Sequence, residues 1–366
     1  MVSQLYSKRT AFVASAIALS FGLASCSGSG TKEAGNTTGS TPAATTAAGG
    51  GQTVRLSGAG ATFPAPLYET WFAEYNKKNP NIQISYQSVG SGAGVEQFTK
   101  GTVDFGASDT AMKDEEIAKA PNGALMVPMS AGSIVLAYNV PGVTSLKLPR
   151  KVYTDIFLGK ITKWNDPAIA EANPGVNLPD KAITVVHRSD GSGTTGVFTK
   201  HLSAISEDWK NGPGEGKSVS WPVGNGGKGN EGVTELIKQT EGGIGYVEYG
   251  YAKNNGVSMA TLENKAGKFV EPTPEAAAKT LAAVQLPENF RAFITDPEGE
   301  ASYPIVSYTW LLVPKKIEDT AKAQALENVI KWGLTDGQQM SAQLGYVPLP
   351  KEVVDKVTPV VDAIAP

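Results

Sequence analysis

Three turns rich in Gly, Ser and Thr are the parts of this sequence best suited to bind an anion. They are residues 57–64 (SGAGATFP), 90–94 (GSGAG) and 190–195 (DGSGTT), and each leads from a predicted strand into a predicted helix. A helix N-terminus presents amides without intrahelical partners and the positive end of the helix dipole, and glycine lets an oxyanion approach the backbone. Each turn alone is also consistent with an ordinary helix cap. Three such turns in one chain favour an oxyanion site.

Two charged residues lie beside the third turn. Arg188 and Asp190 are two positions apart at the end of a predicted strand, so their side chains leave on the same face. A carboxylate in this place can hold a guanidinium so that it grips a tetrahedral oxyanion through two hydrogen bonds. A plain surface ion pair is the alternative interpretation of the same spacing.

Asp109 stands at the end of the predicted strand at residues 103–108. A carboxylate suits an anion site only if the anion carries a proton. Hydrogen phosphate can donate one hydrogen bond to it, whereas sulfate at neutral pH cannot. The residues therefore favour a protonated oxyanion, and sulfate or molybdate remain alternative ligands.

Other chemistry finds little support. Residues 58–63 lack the last glycine of a dinucleotide fingerprint, and the residues around Lys228 do not form a P-loop, so a structural role is favoured for residues 226–230. One Cys and two His exclude a thiolate or imidazole zinc site, and we predict neither metal nor cofactor. A surface phosphatase using Asp109 or His187 is the second function class considered. It would need a metal cluster or a nucleophile–base pair, which the sequence does not supply, so the chain is not expected to be an enzyme.

The elements that position these residues follow a strand–turn–helix alternation that begins at Thr53. This alternation predicts an α/β architecture with mostly parallel sheets. The predicted strands include residues 54–57, 82–87, 103–107, 133–138, 182–187 and 309–313, and the predicted helices include 64–77, 94–100, 114–119, 150–158, 194–202 and 320–333. Periodicity does not assign the segment from Tyr303 to either of the two α/β units.

Composition limits the class of protein. The chain has 366 residues with 41% hydrophobic and 18% charged, a length normal for two domains. Its formal net charge of −3 offers no basic surface for nucleic acid.

The N-terminus explains the single cysteine. A charge-free run at residues 10–25 follows Lys8 and Arg9 and ends before Cys26, and residues 23–26 (LASC) resemble a bacterial lipoprotein cleavage box. The resemblance implies a signal peptide at residues 1–25 and lipidation of Cys26, which anchors the protein to a membrane outside the cytoplasm. Residues 27–52 contain no large apolar side chain, so 26–52 is predicted to be a flexible tether with a reach of roughly 28 Å.

Taken together, several motifs resemble those of the phosphate-binding proteins of Pst-type ABC importers. They are residues 57–66, 104–109, 158–164, 188–194, 226–230 and 244–249, and the similarity extends from Thr53 to the C-terminus. The resemblance implies a two-lobed periplasmic-binding-protein fold of type II, each lobe a mixed or parallel sheet flanked by helices, with the ligand in the cleft. It places residues 53–128 and 301–366 in lobe I and residues 129–300 in lobe II.

The resemblance also implies the ligand contacts and the partners. By position, phosphate would be bound by Thr62, Phe63, Ser91, Asp109, Arg188, Ser192, Gly193 and Thr194, with Asp190 beside Arg188. The chain departs from its relatives at Gly92 and Ala93, where they often carry Ser-Gly, which leaves Ser91 as the only hydroxyl of its turn. A monomer that delivers phosphate to ABC permease subunits is expected.

Overall fold

A computed structural model describes residues 53–364. The predictions for the signal peptide, for Cys26 and for the tether concern residues outside this range.

Strands and helices alternate along much of the described chain. In chain order the elements are β1 Val54–Gly60, α1 Ala65–Lys78, β2 Ile82–Ser88, α2 Ser91–Thr99, β3 Phe105–Ser108, α3 Asp114–Ile117, β4 Leu125–Asn139, β5 Lys147–Leu148, α4 Arg150–Phe157, α5 Pro167–Ala172, β6 Thr184–Arg188, α6 Gly193–Ile205, α7 Glu207–Asn211, β7 Asn225–Gly227, α8 Gly229–Gln239, β8 Gly243–Glu248, α9 Tyr249–Asn254, β9 Ser258–Met259, β10 Thr261–Glu263, β11 Phe269–Val270, α10 Pro274–Ala282, β12 Val306–Val313, α11 Thr320–Leu334, α12 Gln338–Ser341, a 3-10 turn Ala342–Leu344 and α13 Lys351–Val361.

The main sheet is mixed. Its strand order is β2-β1-β3-β12-β4-β8-β6-β7, with β9 paired to β4, while β11, β10 and β5 form a small separate sheet. The pairs β1/β2, β1/β3, β6/β7 and β6/β8 are parallel, but β12 runs antiparallel to β3 and β4, and β4 runs antiparallel to β8. The prediction of mostly parallel sheets is therefore wrong at the centre. The alternation of strands and helices predicts the parallel pairs, but it carries no information on the direction of strands that meet from distant parts of the chain.

Strand β4 lies in the middle of the main sheet and joins its two halves. It was predicted over six residues and has fifteen, with every residue between its ends buried. Its residues 125–133 pair with β12, and from Ile134 onward it pairs with β8. We call β2, β1, β3, β12 and residues 125–133 the first half-sheet, and residues 134–139 with β8, β6 and β7 the second half-sheet. In the segment after Tyr303, strand β12 belongs to the first half-sheet and lies between β3 and β4.

Helix α2 begins three residues before its predicted start at Gly94. Gly90, with φ +90, precedes it, and Ser91 is its first residue. Two glycines in the first turn weaken the sequence signal for a helix. They are explained by close packing, because a Cβ on Gly94 would lie 2.5 Å from the Cα of Gly60. The early start places Ser91 at the helix N-terminus.

Candidate anion site

The predicted ligand residues converge at the carboxyl ends of the strands, where the two half-sheets meet. Ser91 Oγ accepts a hydrogen bond from the Asp109 amide at 3.2 Å, and Thr194 Oγ1 lies 3.4 Å from Asp109 Oδ2. Arg188 Nη1 lies 3.5 Å from Thr194 Oγ1. Residues from β3, β6, α2 and α6 therefore form one cradle.

Asp109 lies at the bottom of this cradle and is 1% exposed. Thr309 Oγ1 donates to its Oδ1 at 3.0 Å, and Ser91 Oγ lies 3.4 Å from its Oδ2. Burial raises the pKa of Asp109 to about 7, against the lowering effect of the Thr309 hydrogen bond and the Arg188 charge. The carboxyl group therefore changes its protonation state near neutral pH, and Oδ2 faces the cradle.

Arg188 and Asp190 form a two-point ion pair in which the arginine is buried and the aspartate is partly exposed. Arg188 Nε donates to Asp190 Oδ1 at 2.8 Å and Nη2 donates to Oδ2 at 2.6 Å, with only 1% of the arginine side chain exposed. Burial acts to raise the pKa of Asp190, but the guanidinium beside it holds that pKa below the ordinary value. The carboxylate fixes the guanidinium, whose Nη1 points to the cradle side at Thr194.

Backbone amides supply further donors. The amides of Phe63, Ser91, Gly193 and Thr194 donate to no carbonyl or side-chain oxygen within residues 53–364. Helix starts leave their first amides free in this way. Ser192 caps α6 by accepting a hydrogen bond from the Thr195 amide at 3.0 Å, so its hydroxyl keeps its proton for another acceptor.

The two half-sheets are closed over the cradle. The Gly92 amide donates to the Gly191 carbonyl at 2.7 Å. Two glycines allow this approach, because a Cβ on Gly90 would lie 2.3 Å from Asp190 Oδ2 and one on Gly193 would lie 2.4 Å from Ser91 Oγ. The Lys217–Glu116 ion pair, at 2.8 Å, also links the two sides. These contacts join the two half-sheets beside the cradle.

Thr62 and Phe63 approach the cradle from the turn after β1. Thr62 Oγ1 accepts hydrogen bonds from Asn230, and the Thr62 carbonyl accepts one from the Tyr251 hydroxyl at 2.6 Å. The Tyr346 hydroxyl donates to the Phe63 carbonyl at 2.6 Å. The Phe63 ring is buried, so its amide is the group that can reach a ligand.

Sequence reasoning missed Thr309 and Asn230. Thr309 comes from the segment that periodicity assigned to neither unit, and no local pattern marks it. Asn230 lies in the motif at residues 226–230, for which the sequence favoured a structural role. This motif was the only sequence signal that could have indicated a role for Asn230 in the site.

The two histidines lie outside the cradle contacts. His187 Nδ1 lies 3.1 Å from the Arg188 carbonyl oxygen, and its ring stacks on Trp221 with centroids 4.9 Å apart. His201 Nε2 lies 2.7 Å from the Tyr153 hydroxyl, and burial lowers the pKa of this histidine to about 3.

Across residues 53–364 no group of three His, Cys, Asp or Glu side chains could hold a metal ion. In the same range, every helix is too short or too polar to cross a membrane.

Known proteins resemble this chain in sequence. The model of the PBP superfamily domain matches residues 36–336. The phosphate-binding protein PstS of Pasteurella multocida is 47% identical over 310 residues, which cover 84% of this chain and 89% of that protein. The protein of the same name from Methanocaldococcus jannaschii is 40% identical over 82% of this chain and 84% of its own length.

Solved structures resemble the fold. A phosphate ABC transporter substrate-binding protein from Clostridium perfringens, solved with bound phosphate, aligns with a TM-score of 0.61 at 20% identity, over 81% of this chain and all of that one. A phosphate-binding protein from Stenotrophomonas maltophilia aligns with a TM-score of 0.67 at 18% identity, over 84% of this chain and 93% of that one. Together with the mixed α/β sheet, these alignments show that this chain has the two-lobed periplasmic-binding-protein fold that the resemblance implied.

Proposed function

This chain belongs to the PstS family of phosphate-binding proteins within the PBP superfamily, and on that premise we propose that it captures inorganic phosphate and delivers it to the permease of an ABC importer. The observation that carries the proposal is the closed cradle. It combines one fixed guanidinium, a set of amides without acceptors and one buried carboxylate.

The donors of the cradle suit a tetrahedral anion. Arg188 contributes a buried positive charge, while Phe63, Ser91, Gly193 and Thr194 contribute neutral amide donors. Hydrogen bonds from such groups are strong inside a closed site, because water does not compete for them. The ligand contacts that we propose are those predicted from the sequence, with Asp190 acting through Arg188.

Asp109 decides which anion fits. Its Oδ2 faces the hydroxyls of Ser91 and Thr194, so a ligand oxygen in the cradle comes close to a carboxylate. The contact between the ligand oxygen and Asp109 Oδ2 is favourable only if a proton lies between them. Hydrogen phosphate and dihydrogen phosphate supply this proton, and sulfate does not, so the proposal favours phosphate over sulfate.

The lobes that we propose are residues 53–128 with 301–366, and residues 129–300. Support comes from the cradle, whose residues come from both half-sheets, and from β4, whose pairing partner changes between Ser133 and Ile134, five residues after the proposed boundary. The ligand would then be bound between the lobes, in a monomer.

We further propose that the protein does not turn over its ligand. Support comes from the two histidines, neither of which contacts a hydroxyl of the cradle: His187 Nδ1 lies 3.1 Å from the Arg188 carbonyl oxygen, and His201 Nε2 lies 2.7 Å from the Tyr153 hydroxyl. The relatives that it matches are phosphate-binding proteins.

A calorimetric titration with four anions tests this function. We expect phosphate and arsenate to bind, because both carry a proton for Asp109, and sulfate and molybdate to bind weakly or not at all. Tighter binding of sulfate or molybdate would instead support the alternative oxyanion receptor. Release of phosphate from a phosphomonoester by purified, metal-supplemented protein would support the phosphatase alternative.

We propose that Cys26 carries the lipid anchor that keeps the protein on a bacterial membrane, outside the cytoplasm. In Cys26→Ala, the acceptor sulfur is lost, so the chain should either keep residues 1–25 or appear in the soluble fraction. Membrane fractionation combined with mass spectrometry of the N-terminus distinguishes these states, and Ser29→Ala serves as the matched control. A chain cleaved at residue 26 that stays on the membrane in Cys26→Ala would refute the anchor.

A further inference from the structure

Asn230 makes a two-point contact with Thr62 across the two half-sheets. The Asn230 amide donates to Thr62 Oγ1 at 3.1 Å, and Asn230 Nδ2 donates to the same oxygen at 2.8 Å. Asn230 is fully buried and Thr62 is 2% exposed. Thr62 follows β1 in the first half-sheet, whereas Asn230 lies in α8, which follows β7 of the second. The contact therefore links the two half-sheets in the closed arrangement.

The direction of these bonds is determined by a third one. Asn230 Oδ1 accepts a hydrogen bond from the Glu248 amide at 3.0 Å. Because that partner can only donate, the oxygen of the carboxamide must face Glu248 and the NH₂ group must face Thr62. Asn230 is thus a donor to Thr62.

A hydroxyl group has two acceptor positions and one proton. Asn230 occupies both acceptor positions of Thr62, so the proton has to point away from Asn230. No oxygen of residues 53–364 accepts a hydrogen bond from this hydroxyl. Thr62 is therefore a buried donor whose direction is set by its neighbour.

We propose that Asn230 is a positioning residue that makes the Thr62 hydroxyl an obligate donor to the bound anion on closure. This inference rests on the proposed phosphate-binding function. It assigns part of the affinity to closure itself, because an open cleft leaves the Thr62 hydroxyl free to rotate and to accept as well as donate. Asn230 would not touch the anion.

Gly229, the residue before Asn230, contacts the aspartate that holds the Arg188 guanidinium. The Gly229 amide donates to Asp190 Oδ1 at 3.0 Å, and Asp190 holds Arg188. Gly229 has φ +71, a conformation that other residues rarely adopt. The first two residues of α8 thus orient both the guanidinium and the hydroxyl, which gives the 226–230 motif a role in the site.

A double-mutant cycle for phosphate affinity tests the inference. By calorimetry, Thr62→Val should weaken phosphate binding about 30-fold and Asn230→Ala about tenfold, the range expected for losing or misdirecting one hydrogen bond to a charged group. If Asn230 acts through Thr62, the double variant should bind about as weakly as Thr62→Val alone. A tenfold loss on adding Asn230→Ala to Thr62→Val would overturn the inference.

Controls separate this effect from a loss of stability. Asn173 is a buried asparagine of the same part of the chain that bonds only to backbone groups at Lys147 and Ile169, so Asn173→Ala should lower the melting temperature and leave phosphate affinity unchanged. If Asn230→Ala does not fold, Asn230→Asp replaces it, because it keeps the oxygen that accepts from the Glu248 amide. The added charge lowers phosphate affinity both in protein with Thr62 and in Thr62→Val, so its effect cancels in the double-mutant cycle. Wild-type protein that fails to bind phosphate would refute the proposed function; wild-type binding with an Asn230 effect independent of Thr62 would refute this inference alone.

Discussion

Arg188→Ala should weaken phosphate binding about 100- to 1000-fold, the cost typical of removing one partner from a buried charge pair. The arginine side chain is 1% exposed, so water cannot replace the lost hydrogen bonds. The substitution also leaves the Asp190 carboxylate without its cation, next to the bound anion. Calorimetric titration with phosphate measures the loss.

Two variants show whether the geometry or the charge of Arg188 matters. Arg188→Lys keeps the charge but cannot form the two-point contact with Asp190, so its affinity should lie between those of wild type and Arg188→Ala. Arg150 is the control, because it is likewise an arginine paired with an aspartate, Asp296 at 2.8 Å, although 23% of its side chain is exposed. Arg150→Ala should lower stability without changing phosphate affinity. An Arg188→Ala protein that binds phosphate like wild type would remove Arg188 from the site.

At about pH 8.5, where the Asp109 carboxyl group is ionised, Asp109→Asn should lower the preference for phosphate over sulfate about 30-fold, since a desolvated contact between two like-charged acceptors costs several kcal/mol. In wild type, sulfate brings no proton to the buried carboxylate. An asparagine at this position can offer an N–H group to either anion. Phosphate affinity should therefore change less than the discrimination between the two anions, as measured by paired titrations in low-chloride buffer.

The selectivity of wild type should also depend on pH. Burial raises the pKa of Asp109 to about 7. Below that pH the carboxyl group is protonated and can donate to sulfate; above it, the carboxylate rejects sulfate. The phosphate preference should therefore rise more steeply in wild type than in Asp109→Asn as the pH increases through 7, because only the ionisation of phosphate itself remains in the variant.

Asp104 provides the control for Asp109. It precedes β3, at the opposite end of that strand from Asp109, and accepts hydrogen bonds from the Ser57 amide at 2.7 Å and from Lys322 at 2.7 Å. Asp104→Asn should keep the selectivity and the pH dependence of wild type. Equal phosphate-to-sulfate ratios in wild type and Asp109→Asn would show that another residue selects the anion.

The sequence by itself determined the local parts of the site. Helix starts depend on neighbouring residues, so the turns at 57–64 and 190–195 could be recognised as N-terminal donors before any fold was known. Arg188 and Asp190 could be paired because the period of a strand places residues two apart on one face. The family resemblance added that these parts belong to one cleft.

Tertiary structure alone decided the contacts between distant segments. Thr309 reaches Asp109 across 200 positions, and Asn230 reaches Thr62 across 168. Periodicity records which face of an element is buried, but not which element covers it or in which direction that element runs. For this reason the antiparallel insertion of β12, the full length of β4 and the orientation of the Thr62 hydroxyl were not predictable. Each depends on packing between elements that the chain brings together only after it has folded.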